Sequence, residues 1–238
     1  MPFEDHEMID SIVHTATCYG RKGESFTEVF DANTAFPLRL LETAIRYKTG
    51  TFFNTDTFFN TDYKYLNGYT LSKKHFMEWG KLLAGLGRIQ FVNVCLEHIY
   101  GPGDDETKFT THVIKSCLEN VAELALTPGE QRRDFIFVDD VVSAYTIVLE
   151  SVVKKSEPFQ EFNIGSGKSV SIRDFVGTVH TITNSRTELK FGALPYRENE
   201  IMRSEADIGP LRTLGWNCQT SLEDGIRKII GYEKSISK

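Results

Sequence analysis

The first hundred residues alternate short apolar runs with stretches in which apolar residues recur at helical spacing. The runs at 9–16, 51–53 and 89–96 are typical of buried strands. Residues 34–47 and the segment that follows Gly68 have the helical pattern. Because strands that alternate with helices indicate βαβ units, the pattern predicts an α/β fold with a doubly wound parallel sheet.

The elements become shorter beyond Gly103. No Pro/Ser-rich linker separates the two halves of the chain. We therefore expect one body with two lobes, residues 1–102 and residues 103–238, in which 135–154 return to the first lobe. The elements predicted in the second half are helices at about 110–120, 140–151, 207–214 and 221–232, an extended segment at 134–138 and a strand that ends at the 163–167 run.

Composition and charge narrow the class of protein. Hydrophobic residues make up 40% of the chain and charged residues 25%, which is ordinary for a soluble globular protein. The net charge of −6 and the lack of a long basic run argue against a nucleic-acid partner. No apolar run approaches the roughly 18 residues of a membrane span, and the acidic start lacks a signal-peptide pattern. We expect a cytoplasmic protein with no membrane partner, and its four widely spaced cysteines indicate reduced thiols and no metal site.

Tyr69 and Lys73 stand four residues apart, and no other of the nine tyrosines has a lysine at this spacing. On a helix such residues share one face, with Cβ atoms roughly 5–6 Å apart. An ammonium beside a phenol favours the phenolate, which predicts a lowered pKa for Tyr69. Such a pair can pass a proton to or from a carbonyl oxygen while a hydride moves. A solvated helix face is the alternative interpretation.

A hexapeptide, Thr-Phe-Phe-Asn-Thr-Asp, occurs twice in tandem at 51–56 and 57–62. The first copy fits a strand that runs into a site. The second copy is predicted to lie in the loop before the helix of Tyr69. Two copies do not make a solenoid, so we interpret the repeat as a short local duplication.

Nine short runs together are similar to one known family. They lie at 12–16, 31–33, 54–56, 69–73, 100–103, 133–140, 163–167, 197–200 and 214–216. In this order they resemble the extended short-chain dehydrogenases/reductases, a family of nucleotide-sugar epimerases, dehydratases and ketoreductases with a Rossmann-like sheet. Two longer runs, 96–104 and 129–140, resemble the members that reduce the 4-keto group of a nucleotide-linked 4-keto-dideoxyhexose with NADPH in deoxysugar synthesis.

The resemblance implies catalytic roles for residues of the first lobe. Tyr69 is the general acid on the sugar C4 oxygen, and Lys73 lowers its pKa and holds the nicotinamide ribose. Thr55 supplies the hydroxyl that steadies the reacting oxygen, with Thr61 of the second copy as a less favoured rival, and Asp56 follows Thr55 in the motif. Thr57 stands where 4,6-dehydratases carry a glutamate, and a hydroxyl cannot replace that base. A dehydratase is therefore disfavoured. The resemblance to the 4-keto-reducing members favours a 4-ketoreductase, and a 4-epimerase remains the alternative.

The resemblance also implies binding residues. For the cofactor these are His14, Ala16, Thr17 and Asn33 with Tyr69 and Lys73, although core packing is an equal alternative for His14. For the nucleotide-sugar substrate they are His98, Arg133 and Arg197, with a structural role as an equal alternative for His98. Salt bridges of Arg133 with Asp134 or of Arg197 with Glu200 are the structural alternative for the two arginines. Cys95 departs from the ketoreductase pattern, which suggests arginine there.

The family's phosphate-binding loop, Gly-x-x-Gly-x-x-Gly, does not occur in the 238 residues. In the family this loop sets the cofactor pyrophosphate against a helix N-terminus. We therefore expect an N-terminally incomplete NAD or NADP site, weak cofactor binding and negligible turnover by the chain as it stands. A truncated, non-catalytic remnant is the third functional interpretation. The helices near 34–47 and 69–84 resemble the family's dimer helices, which predicts a homodimer.

Overall fold

The structure is a computed structural model that describes residues 9–59, 67–152 and 157–236. In chain order the strands are β1 Ser11–His14, β2 Thr51–Thr57, β3 Gln90–Leu96, β4 His98–Tyr100, β5 Glu123–Leu126, β6 Arg132–Phe137, β7 Phe159–Ile164, β8 Ser169–Ser171 and β9 Glu188–Phe191. The helices are α1 Phe26–Phe30, α2 Phe36–Arg46, α3 Gly68–Gly85, α4 Phe109–Glu119, α5 Val138–Val152, α6 Ile172–Thr183, α7 Gly209–Thr213 and α8 Leu222–Ile236, and a π-helical segment, Asp31–Ala35, joins α1 to α2.

The chain divides into two compact units. One unit contains the residues up to Leu96 together with Leu149–Asn163, and the other contains Glu97–Val148 and Ile164 onwards. This division follows contacts between residues, whereas the lobes at 1–102 and 103–238 were assigned by expected role. The assignment of cofactor and substrate roles to the two lobes stays a prediction.

A sheet with strand order β1-β2-β3-β7 forms the centre of the first unit. Strands β1, β2 and β3 are parallel, and their register sets His14 opposite Asn54 and Asn54 opposite Asn93. The predicted parallel α/β fold is therefore confirmed. Because side chains of a strand alternate between the two faces, these three residues share one face of the sheet.

The apolar faces of α2 and α3 pack on this sheet. Leu41, Phe52, Phe76 and Phe91 are fully buried in the cluster between them. Gly80 of α3 allows the close approach, since a Cβ at this position would lie 2.1 Å from the Phe91 ring. The packing fixes the rotation of α3 and so fixes which of its side chains face the carboxyl ends of β1 and β2.

The start of the helical segment before β2 lies earlier than the predicted residue 34. Ser25 caps α1 in a capping box with Glu28, whose backbone N–H donates to the Ser25 hydroxyl at 3.2 Å. The helix then continues through the π-helical segment into α2, so that Asn33 and Thr34 are buried inside it.

The second unit contains two smaller sheets, with strand orders β4-β6-β8 and β5-β9. Its core is an apolar cluster around Tyr100, Phe135, Phe137 and Phe175. The Asp140 carboxylate anchors the segment that leads into α8, because it accepts hydrogen bonds from the backbone N–H groups of Gln219 and Thr220 at 2.9 and 3.0 Å.

Candidate functional site

Lys73 projects from α3 into a buried position below the end of β2. Asn67 caps this helix in a capping box with Thr70, which fixes its first turn two residues before Tyr69. The Lys73 side chain is only 2% exposed, and its Nζ donates to the backbone carbonyl of Thr55 at 2.9 Å. Burial lowers the pKa of Lys73 to about 8, and the nearby Asp56 carboxylate opposes that fall. The side chain therefore remains mostly an ammonium at neutral pH.

Tyr69, one turn earlier on α3, lies among hydroxyl groups. Its phenol takes part in hydrogen bonds with the Thr57 and Thr17 side chains, and its ring lies 5.0 Å from the ring of Tyr19, measured between centroids. Burial raises the pKa of Tyr69, as do Tyr19 and Asp56, while the two threonine hydroxyls lower it. The predicted fall in the Tyr69 pKa is therefore not found, because desolvation of the phenolate outweighs the stabilising contacts. Tyr69 is a protonated acid at neutral pH, which suits a proton donor.

The structure places Thr17 and Thr57 at the Tyr69 hydroxyl. Thr57 was recognised from the sequence only as a substitute for a dehydratase glutamate, and Thr17 only as a cofactor contact. The Thr55 carbonyl accepts a hydrogen bond from Lys73, so Thr55 and Thr57 of β2 each contact one member of the Tyr69–Lys73 pair on α3. Thr61, the rival to Thr55, lies outside the residues that the structure describes.

His14 ends β1 and is 4% exposed. Its ring lies about 6 Å from those of Phe36, Phe52 and Phe76, and neither ring nitrogen has a hydrogen-bond partner among the described residues. Burial and the charge of Lys73 lower the pKa of His14 to about 4, so the imidazole is neutral. The ring therefore packs behind Lys73, and a contact of His14 with a cofactor stays a prediction.

Asn33 holds the loop after β1 against α3. Its Oδ1 accepts from the Cys18 backbone N–H at 2.8 Å and from the Thr17 hydroxyl at 3.3 Å. Its Nδ2 donates to the Cys18 carbonyl at 2.7 Å and to the Ser72 hydroxyl at 3.0 Å. These bonds use the amide within the protein, so Asn33 shapes the position of Thr17 and the exposed Ala16 beside it. Cofactor contacts of these three residues stay predictions.

A row of polar side chains crosses the sheet beneath α3, and the sequence analysis did not identify it. Asn54 Nδ2 donates to Asn93 Oδ1 at 2.8 Å, and Asn93 Nδ2 donates to Glu161 Oε2 at 2.9 Å and to Asp56 Oδ2 at 3.1 Å. The available signal was Asn93 within a largely apolar strand and Asn54 directly after the apolar pair Phe52 and Phe53. Such residues need partners when they are buried.

The predicted substrate residues lie in the second unit. Arg133 is 5% exposed and forms an ion pair with Glu200. Burial lowers the pKa of Arg133, Glu200 opposes that fall, and the charge of Arg197 adds to it. Burial, Arg133 and Lys108 lower the pKa of His98 to about 3, so that its imidazole is neutral. The structure therefore brings His98, Arg133 and Arg197 into one electrostatic neighbourhood. The ion pair in the structure, Arg133 with Glu200, differs from the two that the sequence offered as structural alternatives, Arg133 with Asp134 and Arg197 with Glu200.

Asp134, next to Arg133, is a structural carboxylate. It accepts hydrogen bonds from the backbone N–H groups of Ser166, Gly167 and Ala206 and from the Ser166 hydroxyl, at 2.6–3.1 Å. A Cβ on Gly165 would lie 2.4 Å from Asp134 Oδ2, which explains the glycine. Residues of the 163–167 run therefore surround the buried Asp134 carboxylate and donate hydrogen bonds to it.

Neither a metal-binding cluster nor a membrane-spanning helix is found in the part of the chain that the structure describes. Within it, no group of three or more His, Cys, Asp or Glu side chains is arranged to hold a metal ion. No helix in the same residues has both the length and the apolar character required to cross a membrane.

Comparison with known sequences identifies relatives of this chain. A family model described as the NAD dependent epimerase/dehydratase family matches residues 2–165. The CDP-abequose synthase of Salmonella typhimurium (strain LT2) is 40% identical over 225 residues, which are 92% of this chain and 75% of that enzyme. The CDP-abequose synthase of Salmonella muenchen is 35% identical over 230 residues, 95% of this chain and 78% of the relative.

Comparison with solved structures identifies the fold. The crystal structure of UDP-glucose 4-epimerase from Thermotoga maritima with UDP-glucose has a TM-score of 0.85 and 21% identity, and the match covers 100% of this chain and 81% of that one. The UDP-glucuronic acid 4-epimerase from Bacillus cereus, in complex with UDP-glucuronic acid and NAD, has a TM-score of 0.85 and 23% identity over 99% of this chain and 77% of its own. These likenesses support the Rossmann-like fold assigned to the parallel sheet.

Proposed function

The chain belongs to the NAD dependent epimerase/dehydratase family, and we propose that it reduces the 4-keto group of a nucleotide-linked 4-keto-deoxyhexose with a nicotinamide cofactor. The observation that carries the proposal is the 40% identity to a CDP-abequose synthase over 92% of the chain. The buried Tyr69–Lys73 pair agrees with it, because reduction of a ketone needs a proton donor at the carbonyl oxygen. We place the reaction in deoxysugar synthesis in the cytoplasm.

The nicotinamide, when bound, supplies the hydride to the C4 carbon. Tyr69 donates its phenolic proton to the C4 oxygen as that bond forms, which leaves a phenolate and a secondary alcohol. The hydroxyls of Thr17 and Thr57 hold the phenol in place. Lys73, one helical turn from Tyr69, is the cation that we assign to stabilise the phenolate. Because the Tyr69 pKa is raised in the structure, its proton is retained until the oxygen of the substrate becomes basic.

The residues of the first unit fit the nicotinamide end of a dinucleotide. Lys73 Nζ has three donors, and the Thr55 carbonyl accepts from one of them, so the ammonium can also hold a ribose hydroxyl. Ala16 is exposed, and the half-buried Thr17 contacts the Tyr69 phenol, so these two residues offer a surface beside Tyr69. The chain contains no glycine-rich loop for the pyrophosphate, so we propose contacts for the nicotinamide half alone and leave NADH or NADPH to the assay.

For the substrate we propose the residues of the second unit. Arginine presents a planar fork of donors that matches phosphate oxygens, and Arg133 and Arg197 supply two such groups. Glu200 engages Arg133 through one nitrogen, which leaves other donors of that guanidinium for a diphosphate. The neutral His98 is suited to a sugar hydroxyl, since one ring nitrogen donates and the other accepts.

A turnover assay tests the proposed reaction. We would fuse a family member's glycine-loop βαβ unit before Met1 and incubate the fusion with NADPH or NADH and CDP-4-keto-3,6-dideoxyglucose. We expect oxidation of the cofactor and formation of the C4 alcohol, identified by NMR. The 238-residue chain without the fusion and the Tyr69→Phe fusion are the controls, and both should be close to inactive. If the fusion interconverts C4 epimers of a nucleotide hexose without net cofactor oxidation, the protein is a 4-epimerase and the proposed reductase activity is wrong. If it binds the cofactor and the nucleotide sugar but transforms no sugar, the result supports a non-catalytic remnant.

We also propose a homodimer through the helices of the first unit. Phe26 of α1 is 82% exposed, and Phe36, Trp79 and Leu82 of α2 and α3 are 45–52% exposed. Large apolar side chains that remain uncovered on neighbouring helices are typical of an interface. The distribution of molecular mass in sedimentation velocity at micromolar concentration tests the dimer.

A further inference from the structure

The polar row of Asn54, Asn93 and Glu161 joins three strands of the first unit. The Asn54 and Asn93 side chains are 0% and 1% exposed, whereas Glu161 lies at the exposed end of the row. Asn54 Nδ2 donates to Asn93 Oδ1, and this bond determines which way the Asn93 amide faces. The Asn93 NH₂ group is thereby directed towards carboxylates.

Asn93 uses both of its N–H donors on carboxylates. One hydrogen bond reaches Glu161 Oε2 at 2.9 Å and the other reaches Asp56 Oδ2 at 3.1 Å. The second oxygen of Asp56 accepts the backbone N–H of Thr57 at 2.8 Å. Both oxygens of this buried carboxylate are therefore held, and its orientation is fixed.

Asp56 is the nearby charge that favours the protonated form of Lys73. Among the residues that the structure describes, the other titratable groups around Lys73 are His14 from β1, which is neutral, and Tyr69 from its own helix, which stays protonated. Glu161 of β7 lies beyond Asn93, at the exposed end of the row. Burial of the charged Lys73 side chain carries a free-energy cost. The orientation of the Asp56 carboxylate decides how much of that cost its opposite charge offsets.

We propose that Asn93 is a positioning residue of the reductase site: its amide fixes the Asp56 carboxylate, and that carboxylate keeps Lys73 charged beside Tyr69. The significance for catalysis depends on the proposed function, whereas the coupling itself is a property of the folded chain. A valine or leucine would satisfy an apolar strand at this position. Only an amide offers two donors to two carboxylates while it accepts from Asn54, and an aspartate would add a third negative charge.

The titration of Lys73 tests the coupling on the 238-residue chain without cofactor or substrate. We would follow the ¹³Cε resonance of Lys73 in lysine-labelled protein against pH, for the wild type, Asn93→Leu, Asp56→Asn and the double variant. Wild-type Lys73 should titrate near 8. Asp56→Asn should lower the midpoint by on the order of one pH unit, since an opposite charge at close range shifts a pKa by about one to three units. Asn93→Leu should lower it in the same direction by at least about half as much.

The double variant separates a positioning role from a structural one. If Asn93 acts through Asp56, the double variant should titrate where Asp56→Asn does, because the carboxylate that Asn93 orients is gone. Glu161→Gln, which retains an acceptor for Asn93 at equal size, is the matched control and should leave the midpoint close to that of the wild type. Asn93→Thr, with a strand-compatible side chain too short to reach both carboxylates, replaces Asn93→Leu if the latter does not fold.

Two results would overturn the proposal. One is an unchanged Lys73 midpoint in a folded Asn93 variant while Asp56→Asn lowers it. The other is an additive shift in the double variant, which would mean that Asn93 acts on Lys73 independently of Asp56. An inactive fusion with an intact coupling would refute the proposed function and leave this inference standing, so the two failures are distinguishable.

Discussion

Removal of the Lys73 ammonium should change how the stability of the protein depends on pH. Lys73 is 2% exposed and has a folded-state pKa of about 8 against an ordinary lysine value of 10.5. Because the folded state holds this proton less tightly than the unfolded state, the charged side chain destabilises the fold below pH 8. That destabilisation is relieved as the pH rises from about 8 towards 10.5.

The size of the effect follows from the difference between the two pKa values. At about 1.4 kcal/mol per pH unit, the gap between 10.5 and about 8 corresponds to about 3 kcal/mol. In Lys73→Met this pH-dependent contribution is absent. The variant also loses the hydrogen bond to Thr55 and the charge of Lys73 near Asp56, but these losses form an offset that stays nearly constant, because carboxylates of ordinary pKa are ionised throughout this pH window.

Urea unfolding between pH 7 and pH 10 measures the effect. The free energy of unfolding of the wild type, minus that of Lys73→Met, should increase by about 2–3 kcal/mol across this range. Lys81→Met, on the solvent face of the same helix, controls for the loss of a lysine side chain. A difference between wild type and Lys73→Met that does not vary with pH would refute the burial argument, and a difference that falls with pH would reverse its sign.

Three further predictions concern the acid, the packing and the assembly. Tyr69→Phe in the fusion should lower turnover by about 10²–10⁴-fold with nucleotide-sugar affinity retained in calorimetry, and wild-type turnover would exclude Tyr69 as the acid. Gly80→Ala should lower the free energy of unfolding by about 1–3 kcal/mol in urea, since its Cβ would meet the Phe91 ring at 2.1 Å, whereas Gly85→Ala, with nothing within 4 Å, should not destabilise. Trp79→Glu should give a monomer where the wild type sediments as a dimer, and a monomeric wild type at micromolar concentration would exclude the interface.

The pattern of apolar residues predicted most strands and helices of the first unit because each of those elements is defined by its own segment, although it missed α1. The same reasoning omitted α6, although Ile172, Phe175, Val176 and Val179 follow helical spacing and are buried. It also omitted β5, β8 and β9, which have three or four residues each and carry little periodicity. Short strands depend on partners elsewhere in the chain, and a local pattern does not contain them.

The candidate site was predictable in its residue types and less so in its contacts. Tyr69 and Lys73 were identified from their spacing. The predicted direction of the shift in the Tyr69 pKa was wrong, because the spacing of two residues does not show how deeply they are buried. The coupling of Asn93 to Asp56 depends on the register of β3 against β2, which no single segment specifies. The pairing of Arg133 with Glu200 joins residues 67 positions apart and was likewise inaccessible.

Three buried aspartates among the described residues differ in what holds them, and the difference separates structural from chemical use. Asp134 accepts four hydrogen bonds from a tight loop and from Ala206, and Asp140 accepts from two consecutive backbone N–H groups. Carboxylates surrounded by backbone donors stabilise a chain conformation. Asp134 and Asp140 each also accept from one side chain, Ser166 and Cys218, but backbone donors predominate at both. Asp56 accepts one hydrogen bond from the Thr57 backbone and one from the Asn93 side chain, and it raises the pKa of Lys73. A side-chain donor can be repositioned by neighbouring groups, whereas a backbone donor moves only with the fold. The hydrogen bond that reaches Asp56 from another strand comes from a side chain, and this is the carboxylate that acts on the charge of Lys73 beside Tyr69.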